Sequence, residues 1–323
     1  MRRSASVVLD GLGDPGALRW HENALWFSDF AHGTVHRWSG SGSAETVVEV
    51  PGGAGGLGWL PDGRMLVASM DGGRVYRLEA DGRLVEHADL RRLVGGPVSD
   101  VLVDATGRTY VGNYGFDYIE FARRQPNSML YAPPGPPRAS LAYLAPDGSL
   151  LDVSDPLVFP KGYLISADGS TMVIAETIAM RLTAFDIRAD GTLANPRLWA
   201  SLISPSLWRL LNDSGLAGRI TRRVSTLLDR PAIAKRSASP IAPDDLAWDS
   251  DGRTIWVANT LRGECVRVAE GGRILDRIAT SQATSSCLVA GRDGRTLFIA
   301  TAPVDAPDLA RELGGGRIEM FGL

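Results

Sequence analysis

A short β unit recurs six times along the chain, and that repeat constrains the fold more than any other feature of the sequence. Each copy has an apolar strand, a tight turn, and a second apolar strand ending in a small residue. The second strands are LWFSD (25–29), MLVAS (65–69), TYVGN (109–113), MVIAE (172–176), IWVAN (255–259) and LFIAT (297–301). Asp62-Gly63, Asp168-Gly169, Asp251-Gly252 and Asp293-Gly294 occupy the turn in four copies, Thr106-Gly107 and Glu22-Asn23 in the other two. Asx-Gly between β-rich runs is a strong hairpin signal, because both residues tolerate the positive φ of tight turns. Second strands start 40, 44, 63, 83 and 42 residues apart. A spacing of about 40–50 residues is that of a four-stranded propeller blade. The pattern predicts an all-β fold, a single six-bladed β-propeller over 1–323.

Two long steps leave room for insertions, about 119–138 and 201–240. In the second, Leu216, Ile220, Val224 and Leu227 recur at near-helical spacing, with Arg219, Arg222 and Arg223 on other faces. This predicts a helical insertion between blades four and five, a helix over much of 215–228 that caps the site face. After the last hairpin only RIEMFGL remains, so blade six is one strand short, and residues near 4–12 are expected to supply it. Closure of that kind leaves few sheet edges to protect.

A net charge of −3 gives no electrostatic footprint for nucleic acid or an anionic membrane. No apolar run suits a signal peptide or a membrane span. The expectation is a cytoplasmic protein, monomer or homodimer, whose partner is a small-molecule substrate. Cys265 and Cys287, the only cysteines, suit half-buried structural thiols. Gly11–Gly16 and Gly53–Gly58 match GxGxxG, but neither opens a helix, so neither can hold a pyrophosphate. His21, His32, His36 and His87 lack metal-ligand spacing and suit ordinary strand or surface positions.

The inner strand of each blade lines the central channel, and its start lies at one mouth. Counting back from the second strands puts Gly16, Gly55, Ser99, Lys161, Asp244 and Ser286 there, followed by Ala17, Gly56, Asp100, Gly162, Asp245 and Cys287. Lys161 and Asp244 come from consecutive blades and are placed to meet over the channel. A desolvated lysine beside a carboxylate serves as a proton donor or electrostatic clamp; an ion pair plugging the channel is the structural alternative.

The blade sequences LRWHENALWFSDFAHGTVHRW, FPKGYLISADGSTMVIAET and PDDLAWDSDGRTIWVAN resemble the senescence-marker/gluconolactonase (regucalcin-like) family of six-bladed propellers. The resemblance implies a divalent cation held at the mouth by Glu, Asn and Asp, polarising a lactone carbonyl. Carried over by motif, the Glu falls at Gly16, the Asn at Lys161, and only the Asp survives, as Asp244; a substrate-contacting Asn becomes Ser99, beside Asp100. Hard cations need several oxygen ligands, and an ammonium repels them. The expectation is therefore an enzyme without a metal cofactor, in which a bound cation, if any, would use Asp244. Lys161 and Asp244 are the catalytic candidates; Ser99, Asp100, Asp245, Ser286 and Phe116 are the substrate contacts. Lactone or ester hydrolysis is the reaction the resemblance favours. A metal-independent lyase, isomerase or cyclase and a non-catalytic binding propeller are the alternatives.

Overall fold

The computed structural model describes residues 3–125, 127–228, 240–303 and 314–323. Among them, 24 strands form six four-stranded antiparallel sheets. The innermost strands are Pro15–His21, Ala24's partner in blade one, then Ala54–Trp59, Val98–Val103, Pro160–Ile165, Pro243–Trp248 and Ala283–Ala290. Each packs on the next around the ring, the sixth against the first. This is a six-bladed β-propeller. Ser6–Leu12 pairs antiparallel with the C-terminal strand Gly316–Gly322, so the two chain ends share blade six and close the ring.

The alternation of each strand explains the core. Apolar residues on facing sheets form clusters between neighbouring blades: Phe27, Leu18 and Phe298 between six and one, Leu66, Val101 and Leu144 between two and three, Val173, Leu246 and Val257 between four and five. Side chains such as Leu66 and Leu18 have no exposed surface, and truncating either to alanine costs about 2–5 kcal/mol. The inner hairpins turn as the sequence predicts. In blade one Glu22 (φ 49°) and Asn23 (φ 59°) are both left-handed, the geometry of a two-residue hairpin turn.

One irregularity positions the site. Every inner strand carries a register shift near its start, between Gly16 and Arg19, Ala54 and Leu57, Val98 and Val101, Pro160 and Tyr163, Pro243 and Leu246, Thr284 and Ser286. A regular strand sends successive side chains to opposite faces, whereas a bulge re-aims them. Consecutive residues such as Asp244 and Asp245 can thus both serve the channel.

Helices occur at Tyr118–Arg124 (α1), Pro205–Leu211 (α2) and Leu216–Leu228 (α3), with a 3-10 turn at Asn127–Tyr131. The described members of the apolar stripe on α3 lie outward. Leu216 and Ile220 are 66% and 54% exposed, while Arg222 is buried, donating from Nη1 to the carbonyls of Leu211 and Asp213. Two carbonyl acceptors satisfy the buried guanidinium. The side chains of Val224 and Leu227, and residues 229–239, lie outside the described residues. Both cysteines are fully buried rather than half-buried, Cys265 in blade five next to Cys287 in blade six. No helix among the described residues is long and apolar enough to cross a membrane.

Candidate functional site

Five blades repeat one hydrogen bond at the mouth, in which the residue following the second strand donates its N–H to the carbonyl preceding the inner strand. The pairs are Phe30 to Asp14 (2.9 Å), Met70 to Gly53 (3.0 Å), Tyr114 to Pro97 (3.1 Å), Thr177 to Phe159 (3.2 Å) and Thr260 to Ala242 (3.2 Å). These bonds and the strand pairings fix equivalent positions. The first mouth ring is Gly16, Gly55, Ser99, Lys161, Asp244 and Ser285; the ring beneath it is Ala17, Gly56, Asp100, Gly162, Asp245 and Ser286. In blade six the sequence count is one residue late. Thr284 pairs with Thr301, so Ser286 belongs to the lower ring and Cys287 to the core between blades.

Lys161 and Asp244 meet as their positions suggest, with Lys161 Nζ 3.1 Å from Asp244 Oδ1. The ammonium also donates to the Tyr114 hydroxyl (3.2 Å). Burial works against the charge on Lys161, but Asp244, Tyr114 and Asp100 outweigh it and hold the ammonium well above the usual lysine range. Burial pushes the Asp244 carboxyl up, and Lys161 pulls it back. A lysine so held stays charged at neutral pH.

A second carboxyl, missed in the sequence, belongs to this cluster. Asp14 immediately precedes the inner strand of blade one and is pushed up to about 6, first by burial and then by Asp29, while Lys161 draws it down and Asp244 raises it. Asp29 stays ionised beneath it. Burial opposes that charge, but the N–H groups of Asp14 (3.0 Å) and Gly13 (2.7 Å) and the His32 ring (2.9 Å) more than offset burial. The signal was the dipeptide Asp14-Pro15, one residue outside the strand that the count entered at Gly16. Gly16 itself carries no ligand, and Phe30 fills the space its side chain would take.

The lower ring is a separate cluster inside the channel. Arg19 donates to Asp100 Oδ1 (3.1 Å) and to the carbonyls of Leu57, Leu18 and Val101, and its Nη1 lies 3.8 Å from Asp245 Oδ2. Ser286 donates to Asp245 and accepts from the Leu18 N–H at 3.1 Å. Ser286 has no exposed surface, and Asp100 and Asp245 are under 10% exposed. Through these contacts Asp100, Asp245 and Ser286 brace the floor of the channel. Ser99 faces the Tyr163 hydroxyl, for which Gly112 leaves room. Phe116 joins an aromatic group with Phe159 (centroids 5.8 Å), Tyr118 and Phe121 beside the mouth.

The insertion segments pack on this same side. Leu130 touches the cluster of Phe159 and Ile178, and Tyr131 meets Trp208 of α2 edge-on at 6.2 Å.

The sequence pattern of the SMP-30/gluconolactonase/LRE-like region matches residues 15–303. The chain belongs to this family. No curated protein matches it in sequence. Solved structures share the fold at low identity: a luciferin-regenerating enzyme (15% identity, TM-score 0.72), a gluconolactonase from Xanthomonas campestris (20%, 0.65) and a calcium-binding regucalcin from Agrobacterium tumefaciens (17%, 0.70). Each alignment covers 99% of this chain and 95% of the other. Against the divalent cation that the SMP-30/gluconolactonase family implies, the donor set here fits poorly. Asp14 and Asp244 supply carboxylates, but the third member, Lys161, is an ammonium without a lone pair. Among the described residues no three His, Cys, Asp or Glu side chains converge as metal ligands do.

Proposed function

We propose that this SMP-30/gluconolactonase-family propeller is an enzyme that hydrolyses a small lactone or ester at the mouth around Lys161, without a divalent cation. The observation that carries the reading is the ion pair of Lys161 with Asp244, 3.1 Å, at the ring where two blades meet. Lys161 supplies the fixed positive charge. Asp14, with its carboxyl near 6, is the base suited to neutral pH. It takes a proton from water as the hydroxide oxygen adds to the carbonyl carbon. The oxyanion that forms faces the Lys161 ammonium, and a preorganised charge there is worth more than in water. Collapse breaks the acyl–oxygen bond, and protonated Asp14 returns its proton to the leaving alkoxide. Asp244 keeps Lys161 charged and aimed. Ser99 and Phe116 are the remaining substrate contacts, and Leu130, Tyr131 and the helix Pro205–Leu211, packed beside Phe159 and Ile178, act as a cover.

The same groups serve a metal-independent lyase, isomerase or cyclase, since a base near 6 beside a fixed cation also removes a proton next to a carbonyl. The reading keeps a cytoplasmic protein with a small-molecule partner. The test is hydrolysis of a panel of lactones and esters in the presence of chelator, followed by pH-stat titration. Turnover that survives chelation and falls on the order of a hundredfold or more in Lys161→Met supports the reading. Turnover that needs added metal, or full turnover in Lys161→Met, refutes it.

A further inference from the structure

The mouth is built unevenly, and the unevenness says what kind of molecule it takes. The residue donating the repeated mouth hydrogen bond is Phe30, Met70 and Tyr114 in blades one to three, but Thr177 and Thr260 in blades four and five. The large three are half-buried, so each keeps accessible surface.

Their direction follows from two glycines. A Cβ built on Gly16 would lie 2.3 Å from Phe30 Cε2, and one built on Gly55 would lie 3.2 Å from Met70 Cγ. Gly16 and Gly55 hold the ring positions that Lys161 and Asp244 hold in blades four and five. Phe30 thus occupies in blade one the space that the charged side chains occupy in theirs, and in blade two Met70 lies against that space beside Ala68 Cβ and the Ser99 carbonyl, each 3.0 Å from it. Tyr114 joins the two halves, its ring 5.0 Å from Lys161 Nζ and stacked on Phe159 at 4.6 Å.

We infer that the ligand carries a flat apolar body, about the size of a phenyl ring, attached to its carbonyl or carboxyl group, and that Phe30, Met70 and Tyr114 seat that body while Lys161 faces the polar end. The inference rests on the mouth being the ligand site proposed above. A polyhydroxylated ring laid on this wall would lose most of its hydrogen bonds to water without replacement, because Phe30 and Met70 offer none and the Tyr114 hydroxyl, which accepts from Lys161, has a single O–H to donate. An apolar ring instead removes the exposed surface of all three side chains from water.

The experiment is titration calorimetry of the full chain with 3-phenylpropanoate and with gluconate, two monocarboxylates that differ in the body they attach. The expected result is 3-phenylpropanoate binding at least tenfold more tightly. Met70→Gln, which keeps the side-chain length, and Phe30→Ser should each raise its Kd on the order of tenfold and leave gluconate unchanged. A melting curve on each variant confirms folding, and Met70→Gln decides the matter if Phe30→Ser does not fold. Equal or tighter gluconate binding, or binding of neither anion, overturns the inference. Preference for 3-phenylpropanoate in a protein that hydrolyses no lactone or ester would sink the catalytic reading alone.

Discussion

Lys161 Nζ and Asp244 Oδ1 stand 3.1 Å apart across the boundary between blades four and five, each side chain about 15% exposed. Neither charge is satisfied by water alone, so the two depend on each other. Removing one partner of a buried pair costs about 3–5 kcal/mol, whereas replacing both with apolar residues is often neutral. Asp244→Asn and Lys161→Met should each lower the urea midpoint, and the double variant Lys161→Met/Asp244→Leu should recover most of the loss. Turnover separates the two roles of the pair. If the double variant regains stability and keeps its activity, the pair is a channel plug and not catalytic machinery.

The pH profile tests Asp14. Its carboxyl is raised to about 6, so the base form predominates above that pH and is lost below it. The rate with a neutral substrate should therefore fall as pH drops through about 6. Asp14→Asn should lower kcat/KM roughly a hundred- to ten-thousandfold and abolish that limb in whatever activity remains. An unchanged limb in Asp14→Asn would assign the titration to another group.

The route from sequence to this site explains what was legible. The sixfold hairpin fixed blade number and strand order, because Asx-Gly turns and alternating strands encode local geometry. It also placed Lys161 and Asp244 in adjacent blades. A count along the chain cannot register a bulge, and every inner strand has one. A bulge common to all six shifts no blade against the others, but the paired strand ends of blade six, Thr284 and Thr301, are 17 residues apart against 14 to 16 elsewhere, so the count stops one residue late at Ser286. Asp14 lies just before its strand, outside the count. On α3 the spacing gave the helix but not its facing, since Arg222 is buried by carbonyl acceptors in the preceding turn, which no periodicity reveals. Arg19 was hidden for a related reason: a lone arginine in LRWH carries no sign that Asp100 and Asp245 wait two and four blades away.

Stability should respond to the channel floor. Burial and then the Asp100 charge raise Asp245 to about 7, against Arg19, and Asp14 is also raised. An unfolded aspartate titrates near 3.9, so between about pH 4 and 7 the native state binds more protons than the unfolded chain. That contribution is present in full at low pH and fades as pH rises through 6 and 7. Melting temperatures from pH 5 to 8 should decline, and Asp245→Asn should flatten the upper part of the decline. A wild-type Tm that rises steadily across this window would contradict the assignment.

The two thiols should be inert in the folded protein. Burial, then the neighbouring Cys265, pushes the Cys287 thiol well above its ordinary range, and both residues are at most 1% exposed. Thiolate is the reactive species, so a disulfide reagent should titrate neither in native buffer and both in denaturant. Rapid native modification would mean that blades five and six part far more readily than their packing implies.

The last prediction turns on a single side chain. Counting Gly16 as the missing ligand suggests that restoring a metal site needs two changes, Gly16→Glu and Lys161→Asn. The structure argues otherwise. Phe30 lies 2.3 Å from where a Cβ on Gly16 would be, so a glutamate there must displace the ring. Asp14 already brings a carboxylate to the same group of charges as Asp244. What opposes a cation is the Lys161 ammonium, which repels it and engages Asp244 directly. Lys161→Asn alone removes that charge, frees the Asp244 carboxylate and adds an amide oxygen, a donor type that calcium accepts. Titration calorimetry with calcium chloride should therefore show no binding to the wild-type chain and measurable binding to Lys161→Asn. Asp14→Asn in that background should weaken it again. Calcium binding by the wild-type protein at Asp244, or none by Lys161→Asn, would show that the lysine is not what separates this mouth from a metal site.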